Sequence, residues 1–374
     1  MKVPFFKQDC INLNYTSALH VAIDEIVAGR NNMVLGELTG QFETSFANYL
    51  GSPHFVFLSN GLDALILALK ALELGPSDEV IVPCHTYIAT WIAPLTLGCK
   101  LVVVPVRADN YLIDESCLRK YVTSKTKCIM PVHLYGNACD MLSIMNLAKE
   151  YGLFVVEDAA QAHGCSIDQK YIGTFGDLTC FSFYPTKNLG AFGEAGGIST
   201  YNPLLAEKIM SLRNYGRSGL DGSSNIYLSG NSRGDELQAA FLSEKLNYLS
   251  QISELRRNII SRYSSNLSLI SSHFSLIKYE PGSAPHLAIG TFSDSSLRPS
   301  FVELLKAKGV DTAIHYKKPC HLQSFLKPSD LAIDHSCIEQ AQNIADQIIS
   351  LPMSECHTLE EIDFVCSLII DFFS

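Results

Sequence analysis

Between residues 55 and 183 the chain repeats one pattern, in which short apolar runs alternate with turns and with stretches whose apolar residues fall three and four apart. The runs Phe55 to Ser59, Val80 to Pro83, Leu101 to Val106, Cys128 to His133, Phe154 to Asp158 and Leu178 to Phe183 are of strand length. The stretch from Gly61 to Leu74 and that from Met141 to Tyr151 have helical period. Apolar strands joined by amphipathic helices predict an α/β fold with a mostly parallel sheet covered on both faces. A chain of 374 residues with 47% hydrophobic content exceeds the size at which one core stops growing, so a second, smaller domain is expected. The pattern places a large domain over 1–250 and a small α+β domain over 251–374. Helical period over Asp235 to Ser265 leads from one to the other. In the small domain a strand is expected at Leu287 to Phe292, a helix from Pro299 closed by Gly309, and apolar-striped helices at Ile338 to Ile348 and Ile362 to Phe372.

Bulk properties narrow the function. A net charge of -10 without a Lys/Arg tract disfavours nucleic acid as a partner. The twelve cysteines show neither CxxC pairs nor metal-ligand spacing, which predicts reduced thiols and no metal site. The longest apolar stretch, Val80 to Val106, is broken by Pro83, His85, Pro94 and Lys100, so no membrane span is expected. The start, Met1 to Asp9, is too short and too charged for a signal peptide, and the expectation is a cytoplasmic enzyme.

The candidate chemistry lies at strand ends. Lys187 stands on a Gly-bounded turn just after the run Leu178 to Tyr184. An ammonium among apolar and aromatic neighbours loses hydration, its pKa falls, and a neutral amine able to form a Schiff base becomes accessible. About 30 residues upstream, the run Leu153 to Val156 ends in Glu157-Asp158. The carboxyl ends of strands are where open α/β sheets place ligands, and a buried Asp facing a pyridine nitrogen keeps it protonated. Asp158 followed by Lys187 in this order points to pyridoxal 5'-phosphate (PLP). A phosphate site is offered at Phe55 to Gly61, where a strand enters a Gly turn before a helix. Gly61 admits a close ligand, the first NH groups near Leu62 and Asp63 face it, and the Ser182 hydroxyl is a further donor.

Seven stretches resemble, in family order, the DegT/DnrJ/StrS-type sugar-nucleotide aminotransferases. They are S-N-G-L-D-A-L (59 to 65), D-E-V-I-V-P-C-H-T-Y-I-A-T-W (78 to 91), P-V-H-L-Y-G (131 to 136), E-D-A-A-Q-A-H-G (157 to 164), S-F-Y-P-T-K-N-L-G (182 to 190), N-S-R-G-D-E-L-Q-A-A (231 to 240) and I-H-Y (314 to 316). The resemblance implies fold type I of the PLP-dependent transferases, with a seven-stranded-type sheet between helices. It implies that Lys187 holds PLP, that Asp158 pairs with the pyridine nitrogen, and that Gln161 sits near the phenolic oxygen. By the same resemblance Tyr87 stacks on the ring, and Ser182 with the backbone of Gly61 and Leu62 holds the phosphate. Asn231 is expected to reach the phosphate of a neighbouring subunit, giving a homodimer with shared sites. His163, Arg233, His315 and Tyr316 are candidates for substrate contact. Arg213 is a second candidate for an anionic group, and His85 is a neighbour of Tyr87.

Six residues in four places depart from the family pattern. Leu62 replaces a common Thr, Gly234 replaces a bulky apolar residue and is expected to loosen the loop of Asn231, Glu194-Ala195 replaces an Asp-Gly or Gly-Asp pair, and Lys317-Lys318 follows I-H-Y. Lys187 and Asp158 do not depart, which distinguishes the chain from relatives that carry histidine at the lysine and deoxygenate sugars.

The activity implied is ping-pong transamination. An amino group passes from L-glutamate through pyridoxamine 5'-phosphate to C3 or C4 of a nucleotide-linked keto-6-deoxyhexose, with dTDP as the expected nucleotide. The L-D-A-L and T-Y-I-A-T-W variants lean towards C3. Amino sugars for surface polysaccharide (lipopolysaccharide O-antigen) or glycosides are the expected products. Two alternatives are another fold type I reaction, such as cysteine desulfuration through Cys320 or Cys356, and a non-catalytic regulator that keeps the fold.

Overall fold

The computed structural model describes residues 1–8, 15–218 and 223–374. Eleven strands build its two main sheets: β1 (His54–Leu58), β2 (Glu79–Pro83), β3 (Lys100–Val104), β4 (Thr126–Ile129), β5 (Phe154–Asp158), β6 (Leu178–Ser182), β7 (Gly196–Thr200), β8 (Phe274–Leu276), β9 (Ala288–Phe292), β10 (Leu331–Ile333) and β11 (Ile348–Leu351). The large sheet runs β1-β7-β6-β5-β4-β2-β3-β10. Six of its strands are parallel from β6 to β10, while β7 lies antiparallel to both β1 and β6. The sheet therefore has eight strands rather than the expected seven, because Leu331–Ile333 adds to the edge beside Lys100–Val104. Its strands β2 and β3 are buried on both faces apart from the half-buried Lys100, which explains their apolar runs.

Helix Gly61–Ala71 lies across β6 and β7, and helix Glu37–Leu50 packs on β1 and on helix Glu236–Leu246. Beneath Glu37–Leu50 the rings of Phe42, Phe46, Phe55, Phe57, Phe181 and Phe183 meet mostly edge to face, with Phe46 and Phe55 centroids 4.8 Å apart. This cluster fixes β6 against the outer strands and so fixes the turn that carries Lys187.

The second sheet, β8-β9-β11, is antiparallel and packs with helices Leu249–Asn266, Arg298–Ala307 and Leu359–Phe373 around Tyr263, Phe274, Phe292, Phe301 and Val365. The chain crosses between the two cores more than once. Val3 joins the small core and bridges Val310, while Cys337, Ala341 and Ile344 of helix His335–Gln347 return to the large one. Position 250 falls inside helix Leu249–Asn266, which is separated from Glu236–Leu246 by a short break.

Candidate active site

Strands β5 and β6 are parallel neighbours with Asp158 opposite Cys180, so their carboxyl ends open at one place on the sheet. Asp158 ends β5. Its Oδ2 accepts a hydrogen bond from Thr90 Oγ1 at 2.7 Å and its Oδ1 accepts one from the Ala160 NH at 3.2 Å. Burial pushes the carboxyl pKa up, and these two bonds together with the charges of Lys187 and His133 oppose the rise. Lys187 sits past the end of β6, on a turn closed by its own NH donating to the Tyr184 carbonyl at 2.8 Å. The half-buried ammonium is lowered from 10.5 to about 8 by desolvation, with Asp158 pulling the other way. This is the nucleophile environment expected from the sequence.

At the other end of the cleft, Asn60 caps helix Gly61–Ala71 by accepting from the Asp63 NH at 2.8 Å. The NH groups of Gly61 and Leu62 are left as helix-start donors, suited to a dianion. Gly61 is required by contact: a Cβ there would lie 2.5 Å from Ser182 Cβ. The two residues thus press the end of β6 against the helix start, with the Ser182 hydroxyl beside it.

The walls come from distant segments. The Tyr87 ring is 54% exposed and leans on Tyr316 with centroids 5.4 Å apart. Gln161 Nε2 donates to the Tyr316 hydroxyl at 2.8 Å, and Gln161 Oε1 accepts from the Tyr135 NH at 2.8 Å. His315 Nδ1 shares a 2.8 Å hydrogen bond with Ser350 Oγ, and burial lowers the imidazole to about 4. Gly61, Leu62, Tyr87, Asp158, Gln161, Ser182, Lys187, His315 and Tyr316 therefore surround one cleft of about 590 Å³. An acid buried at its floor, an amine of lowered pKa, a helix start shaped by Gly61 against Ser182, and an exposed aromatic face match the donor set that PLP requires.

Other expected residues do not meet there. His163 is 1% exposed and lies against Phe181 and Phe183 with centroids 5.7 and 5.4 Å away, and desolvation lowers it to about 3. The expectation that it faces substrate is corrected: the turn after Gln161 folds its ring onto the aromatic core instead. Arg233 donates to Asn214 Oδ1 and covers the Tyr215 ring at 5.3 Å, outside the cleft of its own chain. Asn231 is likewise outside it, exposed and bridged to Asn214, with its Oδ1 accepting from the Arg233 NH at 3.2 Å. Arg213 is a buried structural cation, paired with Glu43 and donating to the Phe57 carbonyl at 2.9 Å. His85 shares a 2.7 Å hydrogen bond with the Tyr135 hydroxyl and is lowered by burial to about 3.

Gly234 also differs from expectation. A Cβ there would lie 2.2 Å from Phe57 Cε1, so the glycine lets the loop pack closely on β1 rather than loosening it. Ten cysteines are free among the described residues, Cys10 lies outside them, and Cys356 is disulfide-bonded, which corrects the expectation of reduced thiols throughout. The Cys320 thiol is buried, donates to the Thr86 carbonyl at 3.3 Å and is raised by burial to about 12, which is the opposite of an activated nucleophile. The sequence reading missed Thr86, Glu194 and His286 as lining residues, and Thr90 as the donor to Asp158 behind the lining. Thr90 had a local signal, being three residues after Tyr87 on the same turn. His286 had none, since it comes from the segment that leads into β9. Among the described residues no helix is long and apolar enough to cross a membrane.

Fold and cleft together define a fold type I PLP-dependent transferase. The chain belongs to the DegT/DnrJ/EryC1/StrS aminotransferase family, whose profile matches residues 17–370, and it is a PLP-dependent sugar-nucleotide aminotransferase. It is 37% identical over 352 residues to the dTDP-3-amino-3,4,6-trideoxy-alpha-D-glucose transaminase of Streptomyces venezuelae, covering 94% of this chain and 91% of that protein. It is also 37% identical over 363 residues to the dTDP-3-amino-3,6-dideoxy-alpha-D-galactopyranose transaminase of Aneurinibacillus thermoaerophilus, covering 97% of each. A crystal structure of S. venezuelae DesV in complex with a ketimine intermediate superposes with a TM-score of 0.93 at 35% identity, covering 99% of this chain and 98% of that one.

Proposed function

We propose that the enzyme transfers the amino group of L-glutamate to C3 of a dTDP-linked keto-6-deoxyhexose, acting in the cytoplasm on a route to surface polysaccharide or glycoside amino sugars. The observation that carries C3 is that the two relatives, each matched over more than nine-tenths of this chain, are both named for 3-amino dTDP-sugars.

When bound, PLP supplies an electron sink for the negative charge that develops at the donor's α-carbon. Lys187 Nζ, about half neutral near pH 8, would hold the cofactor and, when free of it, would take up the donor's α-proton and give it back to the product. Asp158 would pair with the ring nitrogen and favour its protonated form. Gln161 would serve the phenolic oxygen, Tyr87 would cover one ring face, and Ser182 with the NH groups of Gly61 and Leu62 would hold the phosphate. Half-buried His315, neutral near pH 7, and the Tyr316 hydroxyl would face the sugar.

Charge balance supports a homodimer. Lys187 is the only lysine or arginine among the described residues that line the cleft, and Asp158 and Glu194 add negative charge. A nucleoside diphosphate and glutamate both need cations that one chain's lining does not supply. Asn231 and Arg233 lie exposed or half-buried outside their own cleft, which supports a role for them in the site of a second copy.

Incubation with L-glutamate and a panel of dTDP-, UDP- and GDP-linked keto sugars, followed by NMR of the product, tests the substrate. Nitrogen at C4, or a preference for another nucleotide, overturns the proposal in that part. For the shared site, Lys187→Ala and Asn231→Asp proteins are mixed under conditions of verified subunit exchange. Part of the activity should return, since a mixed dimer has one site with both lesions and one with neither. No return, or a fully active monomer in sedimentation, refutes sharing.

A further inference from the structure

Asp158 is held by a chain of hydroxyls that the mechanism above does not use. Thr90 Oγ1 lies 2.7 Å from Asp158 Oδ2 and 2.9 Å from Thr86 Oγ1, and all three side chains are buried. A hydroxyl has one proton. An ionised carboxylate only accepts, so the Thr90 proton points at Asp158, and Thr90 Oγ1 must accept from Thr86. The two donors therefore run head to tail towards the carboxylate, each polarising the next. The same turn bonds the Thr90 NH to the Tyr87 carbonyl at 3.2 Å, so the donor and the exposed ring of Tyr87 are fixed together at the start of helix Ala89–Thr96.

We propose that Thr90, polarised by Thr86, is a positioning residue that keeps Asp158 ionised and oriented at the floor of the cleft. This rests on the role assigned to Asp158 in the proposed function. The groups that otherwise act on this carboxylate are Lys187, His133, the Ala160 NH, and the neutral Tyr316 and Cys180. Only Lys187 and His133 can bring positive charge. Lys187 would leave this carboxylate during turnover, whereas the hydroxyl chain stays in place and, at 2.7 Å against 3.2 Å for the Ala160 NH, is the shorter of the two hydrogen bonds to it.

The test uses cofactor-free protein carrying Thr90→Val, which keeps the shape and loses the donor, and Thr90→Ser, which keeps the donor. Carbon-13 NMR titration of the aspartate carboxyls, with the Asp158 signal assigned from its loss in Asp158→Asn, reads the pKa directly. Calorimetry with pyridoxamine 5'-phosphate reads affinity. Losing one hydrogen bond to a buried charge is expected to raise the Asp158 pKa by about one to two pH units in Thr90→Val and to weaken cofactor binding roughly ten- to hundredfold. Thr90→Ser should restore both, and Thr86→Val should give a smaller shift in the same direction. Equal impairment in Thr90→Ser and Thr90→Val would show a packing role and overturn the proposal. So would a Thr90→Val protein with unchanged pKa and affinity while Asp158→Asn is impaired. If Asp158→Asn itself binds cofactor like the wild type, the role of Asp158 falls and this inference falls with it.

Discussion

Replacing Lys187 with Met should make the cofactor-free protein more stable. At about 1.4 kcal/mol per pH unit, a fall in pKa from 10.5 to about 8 means that keeping Lys187 protonated in the fold costs roughly 3 kcal/mol below pH 8. That figure already contains the favourable pull of Asp158, because the lowered pKa is the balance of desolvation against it. Met keeps the unbranched shape and carries no charge, so the variant escapes the cost. With about 2.1 cal/mol/K of unfolding entropy per residue, 3 kcal/mol spread over 374 residues corresponds to a rise in Tm of roughly 4 °C. The pH dependence carries the sign. Between about 8 and 10.5 the unfolded lysine binds more proton than the folded one, so wild-type stability rises with pH through that window. The variant has no such rise, so its advantage should be greatest near pH 7 and nearly gone by about pH 10.5. Calorimetric melts of both cofactor-free proteins at several pH values provide the check. A variant that melts at or below wild type near pH 7, or a gap that does not close with rising pH, would refute the argument.

Asp158→Ala should lower turnover by several powers of ten with the fold intact, because a neutral pyridine is a poor electron sink; a steady-state rate reduced by less than tenfold would show that another group protonates the ring. Gly61→Ala places a Cβ 2.5 Å from Ser182 Cβ, so the hydroxyl must move off the phosphate position. Cofactor release measured by dialysis should be faster by at least tenfold, and unchanged retention would remove Ser182 from that site. Gly234→Val should destabilise the protein by about 1–3 kcal/mol through overpacking against Phe57, and a denaturant midpoint equal to wild type would show that the loop yields.

Local pattern determined the parts of this protein whose causes are local. Helix Met141–Tyr151 and strand Phe154–Asp158 lie at the bounds that period and apolar run predict, because burial of their own residues makes them what they are. Lys187 and Asp158 were legible for a related reason: each stands at the end of such a strand, and their chemistry follows from type and position. The strands Gly196–Thr200 and Leu331–Ile333 were not legible. One is rich in glycine and the other is three residues long, and each is a strand because a neighbour offers it a ladder. Side-chain direction was also beyond local pattern. His163 and Gln161 are two residues apart on one turn, yet one enters the phenylalanine cluster and the other the cleft. Thr90 meets Asp158 across 68 residues of sequence, and His286 reaches the cleft from the segment before strand Ala288–Phe292. Such contacts are decided when sheets and helices pack, since the partner that satisfies a buried polar atom is set by which surfaces face each other and not by spacing along the chain.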